Sequence, residues 1–340
     1  MPASSRRYLI IGPSWVGDMV MAQSLFIALK KLYPECEIDV VSPEWSLPVL
    51  QRMPQVRRGI ALPVQHGEFS LAARSRLGRS LKANNYSHAI VLPRSWKSAL
   101  VPFFAGVPVR TGYRGEMRYG LLNDVRMLDT EVLKQTVQRY VAHAYPQSEC
   151  AAEAPEISYP ELQSDKQHID SLLNSLKLRL DKPVIGFMPG AEYGPAKQWP
   201  TDYFAQLSRL LVEQGYQVWV FGSTKEVALG DAIAQGATGD VHNLCGKTEL
   251  VDVIDLIACV EQVVSNDSGL MHVAAAMDVK VNVIYGSSTP EYTPPLTDSA
   301  EIHYKRLSCS PCFSRTCKYG HYNCLTQVRA DDVFARMLAR

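Results

Sequence analysis

A polar segment between an apolar run and a helix-forming run is the first place in the sequence where chemistry is indicated. Residues 261–276 read EQVVSNDSGLMHVAAA, which predicts a buried strand, a tight turn and the start of a helix. The free N–H groups and positive dipole end of such a helix favour an anion, so the segment indicates a phosphate-bearing ligand. An ordinary strand-to-helix turn with an Asp cap explains the same pattern. The residues of interest are Asn266, Asp267, Ser268, Gly269 and His272.

A second loop of this kind follows another apolar strand. It reads PGAEYGPAKQWP over residues 189–200 and holds two glycines, the first of them Gly190, and one lysine. A loop of this composition at a strand end is a reasonable cradle for phosphate, with Lys197 as a point charge. Thr201 and Asp202 are predicted to cap the helix that follows.

Two further turns contribute a candidate acid and a candidate glycine. Glu226 follows the strand predicted at residues 217–221, where it could accept hydrogen bonds from ribose hydroxyls. An acid in the first turn of a helix explains Glu226 equally well. Gly246 lies in a turn before Thr248 and Glu249, which are predicted to open another helix.

A glycine-bearing loop near the start of the chain carries Asp18. Residues 12–21 read GPSWVGDMVM, between a short apolar run and the helical spacing of residues 22–32. Gly12 and Gly17 are too far apart for the Gly-x-Gly-x-x-Gly fingerprint, which disfavours a bound dinucleotide. Asp18 stands where the helix is expected to begin, so an N-cap is the structural alternative to any chemical role.

Positive charge is concentrated between residues 94 and 126, although the whole chain is nearly neutral. Six basic side chains stand there against Glu116 and Asp124. Arginine binds carboxylates and phosphates through two parallel hydrogen bonds, so the segment indicates an anionic acceptor. A solvated basic loop is the alternative interpretation. The six are Arg94, Lys97, Arg110, Arg114, Arg118 and Arg126.

Length and composition favour two globular domains of ordinary size. The chain has 340 residues, 46% hydrophobic and 20% charged, with a net charge of +1. This balance gives no overall attraction to nucleic acid or to an anionic membrane. Strands and helices alternate in both halves, so we expect an α/β protein with two Rossmann-like, doubly wound parallel sheets facing a cleft. The domains are predicted at residues 1–165 and 166–325, with a C-terminal helix at 326–340.

The first residues and the cysteines bear on where the protein works. Arg6 and Arg7 superficially resemble a twin-arginine export signal, but Pro13, Gly17 and Asp18 interrupt the apolar stretch. We therefore expect a cytoplasmic protein. Four of the eight cysteines, at 309, 312, 317 and 324, lack the paired spacing of a zinc ribbon. We interpret them as reduced thiols, with a structural metal as the alternative, and assign no metal ligand.

Taken together, the loops closely resemble glycosyltransferase family 9, the lipopolysaccharide heptosyltransferases, which have the GT-B fold. The resemblance spans nearly the whole chain and is carried by residues 12–18, 103–124, 189–200 and 266–272. It is greatest to the members that add the second heptose of the inner core, chiefly through GPSW and RGEMRYG. It implies an inverting transfer of heptose from ADP-heptose to Kdo2-lipid A that already carries one heptose.

The resemblance also implies roles for single residues. Asp18 is expected to be the base, because its counterpart in the family faces the cleft. Lys197 and the helix start at Ser268 and Gly269 are expected to hold the diphosphate, and Asp267 to orient that turn or a sugar hydroxyl. His272 is either a ligand contact or a structural histidine. The full donor set is Gly190, Lys197, Glu226 for ribose, Gly246 for adenine packing, Asn266, Asp267, Ser268, Gly269 and His272.

The remaining expectations concern the acceptor and the surroundings. Carboxylates of Kdo and core phosphates are assigned to Arg94, Lys97, Arg110, Arg114 and Arg118. No Asp-x-Asp motif stands near the site, so we expect activity without a divalent metal or other cofactor. We also expect transient contact with the cytoplasmic face of the inner membrane. The alternatives are a family 9 transferase with a different acceptor, a nucleotide-sugar epimerase of the same fold, and a non-catalytic nucleotide-binding module.

Overall fold

The computed structural model describes residues 6–64, 68–235 and 239–339. The chain divides into two compact units, Met1–Leu162 and Gln163–Arg340. Each unit contains one six-stranded sheet, and all paired strands within it are parallel. This confirms the predicted α/β class with two doubly wound parallel sheets. The bounds and the roles that we assigned to the domains stay predictions.

The first unit has the strand order β3-β2-β1-β4-β5-β6. Its strands are β1 (Arg7–Ile11), β2 (Glu37–Ser42), β3 (Arg58–Ala61), β4 (His88–Val91), β5 (Val109–Tyr113) and β6 (Asp124–Arg126). Its helices are α1 (Val16–Leu32), α2 (Leu47–Gln51), α3 (Leu71–Leu81), α4 (Leu100–Phe104) and α5 (Thr136–Val141). The order of the strands reverses between β1 and β4, and in such folds ligands bind beyond the carboxyl ends of the strands at a reversal.

The second unit repeats this arrangement, with the order β12-β11-β10-β7-β8-β9 and its reversal between β10 and β7. Its strands are β7 (Val184–Met188), β8 (Gln217–Val220), β9 (Val241–Asn243), β10 (Gln262–Asn266), β11 (Lys280–Tyr285) and β12 (Ala300–Tyr304). Its helices are α6 (Lys166–Leu176), α7 (Thr201–Glu213), α8 (Val227–Gln235), α9 (Leu250–Ile257), α10 (Gly269–Ala276), α11 (Asn323–Thr326) and α12 (Ala330–Leu338).

The strands beside the second reversal are buried because the sheet is covered on both faces. Every residue of β7 is buried, and in β10 all residues after Gln262 are buried. Trp199, Phe204 and Leu207 are part of the core that covers the sheet. Parallel strands covered on both faces read as continuous apolar runs, which is why these two strands could be predicted from the sequence.

Several helices begin differently from the predictions. α1 begins at Val16, two residues before the predicted start at Asp18, and residues 19–22 are buried in the core. α7 begins at Thr201 after Pro200, with no side-chain cap, so the predicted caps at Thr201 and Asp202 are wrong. α9 begins at Leu250 with Glu249 as its N-cap, close to the predicted start at Thr248 and Glu249. In the described part of the chain, no helix is both long enough and apolar enough to span a membrane.

Candidate active site

Asn266 ties together the two strands at the reversal of the second sheet. It is the last residue of β10 and is fully buried. Its Nδ2 donates to the Pro189 carbonyl at 2.7 Å, and its Oδ1 accepts from the Trp199 amide at 2.9 Å. Both partners lie in the loop that follows β7. The side chain therefore fixes the predicted phosphate loop against the end of β10.

Asp267 places Lys197 beside that strand end. Lys197 Nζ lies 2.5 Å from Asp267 Oδ2, and the hydroxyl of Ser288 donates to the same carboxylate oxygen. The Asp267 side chain is 4% exposed and that of Lys197 is 19% exposed. Since the pair is largely shielded from water, the ammonium group is held in one position. A diphosphate placed here would meet an amine that needs little reorganisation.

The start of α10 lies directly after this pair. Ser268 occupies the N-cap position with extended backbone, yet it makes no side-chain cap, and the side chains of Asn266 and Asp267 bind elsewhere. The alternative interpretation of this segment, a turn with an Asp cap, is therefore wrong. Gly269 is the first residue of the helix. The first amides of α10 thus lack a side-chain cap beside Lys197, which is the arrangement that favours an anion.

His272 is a buried, neutral imidazole next to these charges. It is 5% exposed and lies on the first turn of α10. Burial lowers its pKa to about 4, the charge of Asp267 acts in the opposite direction, and that of Lys197 lowers it further. The ring is therefore uncharged at neutral pH. It can exchange a hydrogen bond with a polar ligand group but contributes no positive charge to a phosphate site.

Glu226 and Gly190 meet at the neighbouring strand ends. Glu226 Oε2 accepts from the Ser223 amide at 2.7 Å and from the Ser223 hydroxyl at 2.5 Å, which makes a capping box. Glu226 therefore does act as an acid in the first turn of a helix, which was the structural alternative to a ribose contact. Its Oε1 faces Gly190, where an added Cβ would lie 3.2 Å away. The ribose role of Glu226 and the donor role of Gly190 stay predictions.

Gly246 closes the turn after β9. Its φ of +71° suits glycine, and its amide donates to the Gly222 carbonyl at 3.0 Å. An added Cβ would lie 3.2 Å from Thr224 Cα. The backbone of Gly246 therefore packs closely on the turn that carries Glu226. Its predicted contact with adenine is untested.

Asp18 lies inside α1 rather than at its cap. The N-cap is Trp15, and Asp18 belongs to the first helical turn. The predicted N-cap alternative for Asp18 is therefore wrong. The side chain is half-buried, and Tyr140 on α5 donates to its Oδ1 at 3.4 Å. Asp18 follows β1 at the reversal of the first sheet, where ligands bind in such folds.

Two of the five residues in the predicted acceptor set, Arg118 and Arg110, are bound to the main chain. Arg118 is 2% exposed, and its guanidinium donates to the Pro93 carbonyl at 2.7 Å and to that of Tyr113. Burial lowers its pKa to about 10, and the charge of Arg94 acts in the same direction. Arg110 donates to the carbonyls of Leu121 and Val107, each at 2.6 Å. These two arginines order the basic segment, and we remove both from the acceptor set.

Arg94, Lys97 and Arg114 remain near the surface. Arg94 and Arg114 are exposed, and Lys97 is half-buried with its Nζ 3.4 Å from the Glu68 carbonyl. The Glu116 carboxylate accepts from the Trp96 amide at 2.9 Å, which joins residues 94–97 to residues 114–118. The structure therefore brings three predicted basic residues onto one pair of joined loops.

Two side chains of the site were missed by the sequence reasoning. Ser288 follows β11 in the run GSSTP, and β11 pairs with β10. A hydroxyl-rich run at the end of a neighbouring strand was a usable signal, because carboxyl ends of parallel strands meet at one edge. Tyr140 gave no such signal, because it is brought to Asp18 by the packing of α5 against α1.

The C-terminal cysteines share one neighbourhood. Burial raises the pKa of Cys324, and the thiols of Cys309, Cys312 and Cys317 act in the same direction. All four are free thiols. Among residues 6–64, 68–235 and 239–339, no three His, Cys, Asp or Glu side chains are arranged to hold a metal ion.

The two doubly wound units are the architecture of a GT-B glycosyltransferase, and the second unit carries a candidate anion site at its strand reversal. The sequence model of Glycosyltransferase family 9 (heptosyltransferase) matches residues 74–323. The chain belongs to this family.

Two sequence relatives and one solved structure that are similar to this chain carry a heptosyltransferase 2 or II description. Lipopolysaccharide heptosyltransferase 2 of Escherichia coli (strain K12) is 47% identical over 303 residues, which is 87% of each chain. The protein of the same description from Salmonella typhimurium is 46% identical over 303 residues, again 87% of each chain. The solved structure of E. coli ADP-heptose lps heptosyltransferase II superposes with a TM-score of 0.86 at 42% identity and covers 97% of each chain.

A titration of His272 tests the electrostatics of the site. We expect its ring signals, assigned with His272→Gln, to stay constant from about pH 8 to about 5.5 in the folded protein and to titrate at a pKa of about 4. The unfolded chain should titrate near 6.5. Because the folded-state pKa is the lower one, this residue should reduce stability as the pH falls below about 6.5. Titration near 6.5 in the folded protein would contradict the described burial.

Proposed function

We propose that this protein transfers L-glycero-D-manno-heptose from ADP-heptose to the first heptose of the lipopolysaccharide inner core, with inversion at the anomeric carbon. The observation that carries the proposal is the Lys197–Asp267 pair beside the uncapped start of α10. The names of the similar proteins supply the sugar and the lipid. Their identity to this chain over most of their length supports the same reaction here.

The second unit is proposed to bind the donor. The departing ADP carries negative charge on its diphosphate, and Lys197 with the first amides of α10 offers stabilisation at that point. Glu226 and Gly246, at the ends of β8 and β9, are assigned to ribose and adenine. Asp267 keeps Lys197 in place through the 2.5 Å contact. Positive charge and backbone dipoles take the part that a divalent ion plays in other transferases.

The first unit is proposed to supply the base and the acceptor contacts. Inversion requires that the acceptor hydroxyl lose its proton as it attacks the anomeric carbon. Asp18 is the half-buried carboxylate at the strand reversal, and the hydrogen bond from Tyr140 helps to orient it. Arg94, Lys97 and Arg114 are assigned to the carboxylates of Kdo and to core phosphates.

A second candidate is a family 9 transferase that uses the same donor with a different acceptor. It keeps the site of the second unit and changes only what the basic loops bind. The epimerase and binding-only alternatives lack support from the family match. The identity of the required acceptor distinguishes heptosyltransferase II from a family 9 transferase with another acceptor.

ADP release from ADP-heptose in the presence of EDTA tests the reaction. We expect wild type to release ADP only with monoheptosylated Kdo2-lipid A. Asp18→Ala should lower this rate by about 100- to 10,000-fold, because a general base is lost. Glu35→Ala is the matched control, since Glu35 is an exposed acid of the same unit just after α1.

Three outcomes of that assay would contradict the proposal. A strict magnesium requirement would contradict the metal-free diphosphate site. Release that ignores the acceptor would contradict transfer. Full activity of Asp18→Ala would remove Asp18 as the base.

The basic loops are also proposed to touch the lipid surface that carries the acceptor. Trp96, two residues after Arg94, is 39% exposed, and Met117, three residues after Arg114, is 88% exposed. Basic residues near an anionic leaflet each contribute about 1 kcal/mol, and exposed tryptophan suits the interface. This supports a transient, peripheral contact at the cytoplasmic face of the inner membrane.

Charge reversal at Arg114 tests the acceptor surface. Arg114→Glu should raise KM for the lipid acceptor about tenfold, because an attractive charge becomes a repulsive one. KM for ADP-heptose should not change. Flotation with phosphatidylglycerol-containing vesicles should also be reduced. Arg76→Glu is the control, since Arg76 is an exposed arginine of α3. Equal acceptor KM for the two variants would contradict the assignment.

A further inference from the structure

The segment between β12 and α11 is hydrogen-bonded to the predicted phosphate loop, residues 189–200, and to the loop after β11. The amides of Cys312 and Phe313 donate to the Ser287 carbonyl at 3.0 and 2.7 Å. The Ala196 amide donates to the Arg315 carbonyl at 3.0 Å. The residue after Ala196 is Lys197, so this segment helps to position the turn that carries the catalytic-site lysine.

Two positive side chains lie close to the ring of Tyr193. Lys197 Nζ is 5.2 Å from the centroid of its ring, and Arg315 Cζ is 5.3 Å from the same centroid. The Tyr193 hydroxyl donates to the Phe313 carbonyl at 2.6 Å, which fixes the ring. Cations are attracted to aromatic rings at such distances. The ring thereby brings the guanidinium of Arg315 to the neighbourhood of Lys197.

We propose that Arg315 is a second cationic ligand of the donor diphosphate. This inference rests on the proposed function, since it takes the Lys197 site to be the donor site. Neither the sequence motifs of the family resemblance nor the basic segment of the first unit includes Arg315. The ligand class is a nucleoside diphosphate, and the contact is made by the guanidinium to phosphate oxygens.

The charge balance of the site supports a second cation. Asp267 pairs with Lys197 at 2.5 Å, so the two charges cancel before a ligand arrives. An ADP-sugar carries two negative charges on its diphosphate. Arg315 is exposed, and among residues 6–64, 68–235 and 239–339 no Asp or Glu pairs with it. Its charge is thus available to the ligand.

The main chain and the side chain of Arg315 have separable roles. Its carbonyl receives the Ala196 hydrogen bond and packs on Gly194, where an added Cβ would lie 2.6 Å from that oxygen. These contacts do not need the guanidinium. Arg315→Ala therefore keeps the scaffold of the phosphate loop and removes the charge.

Calorimetric titration of ADP and AMP, with no divalent metal present, tests the inference. Arg315→Ala should weaken ADP binding about tenfold and AMP binding much less, because AMP lacks the second phosphate. Arg315→Lys should recover part of the ADP affinity. Lys318→Ala is the matched control, since Lys318 is an exposed cation of the same segment that lies over Tyr319.

The outcomes are distinguishable. ADP affinity of Arg315→Ala equal to that of Lys318→Ala would overturn the role of Arg315. Equal weakening of ADP and AMP would also overturn it, because this would indicate a general disturbance of the loop. Wild type that binds neither nucleotide would overturn the proposed function and this inference together.

Discussion

The structure of the proposed donor site depends on two consecutive residues, Asn266 at the end of β10 and Asp267 directly after it. Asn266 uses its amide to hold the loop after β7 in place, and Asp267 uses its carboxylate to hold Lys197. An asparagine can donate and accept at once, so one buried side chain satisfies two main-chain groups. An acid in its place would lose the donor. The neutral Asn266 thus fixes the loop that carries Lys197, and the charged Asp267 next to it fixes the ammonium group.

The uncapped start of α10 is a consequence of what Asn266 and Asp267 bind. Because Asn266 and Asp267 bind other groups, neither side chain caps α10, and the helix start is left for a ligand. A cap there would stabilise the helix by about 1 kcal/mol. The chain forgoes that stability at the point where, under the proposed function, negative charge develops during transfer. The neutral state of His272 is consistent with a cationic Lys197 nearby, since a charged imidazole would repel that ammonium group.

Much of this could be predicted because the central strands are apolar runs with polar loops at their ends. The edge strands β3 and β9 could not, because their sequences RGIA and VHN carry little pattern. Arg57 just before β3 and Arg58, its first residue, bind the buried Asp39, which is distant in sequence. In the same way, composition gave the basic segment, but only packing separated Arg118 and Arg110 from the surface arginines. Charge counts report neither burial nor hydrogen-bond partners.

A crystal structure with bound ADP tests the central claim most directly. We expect phosphate oxygens within hydrogen-bonding distance of Lys197 Nζ and of the first amides of α10. The Asn266 anchor should be unchanged in that complex. ADP bound away from the end of β10 would contradict the account, and so would a diphosphate held by a divalent ion with Lys197 paired to Asp267 alone.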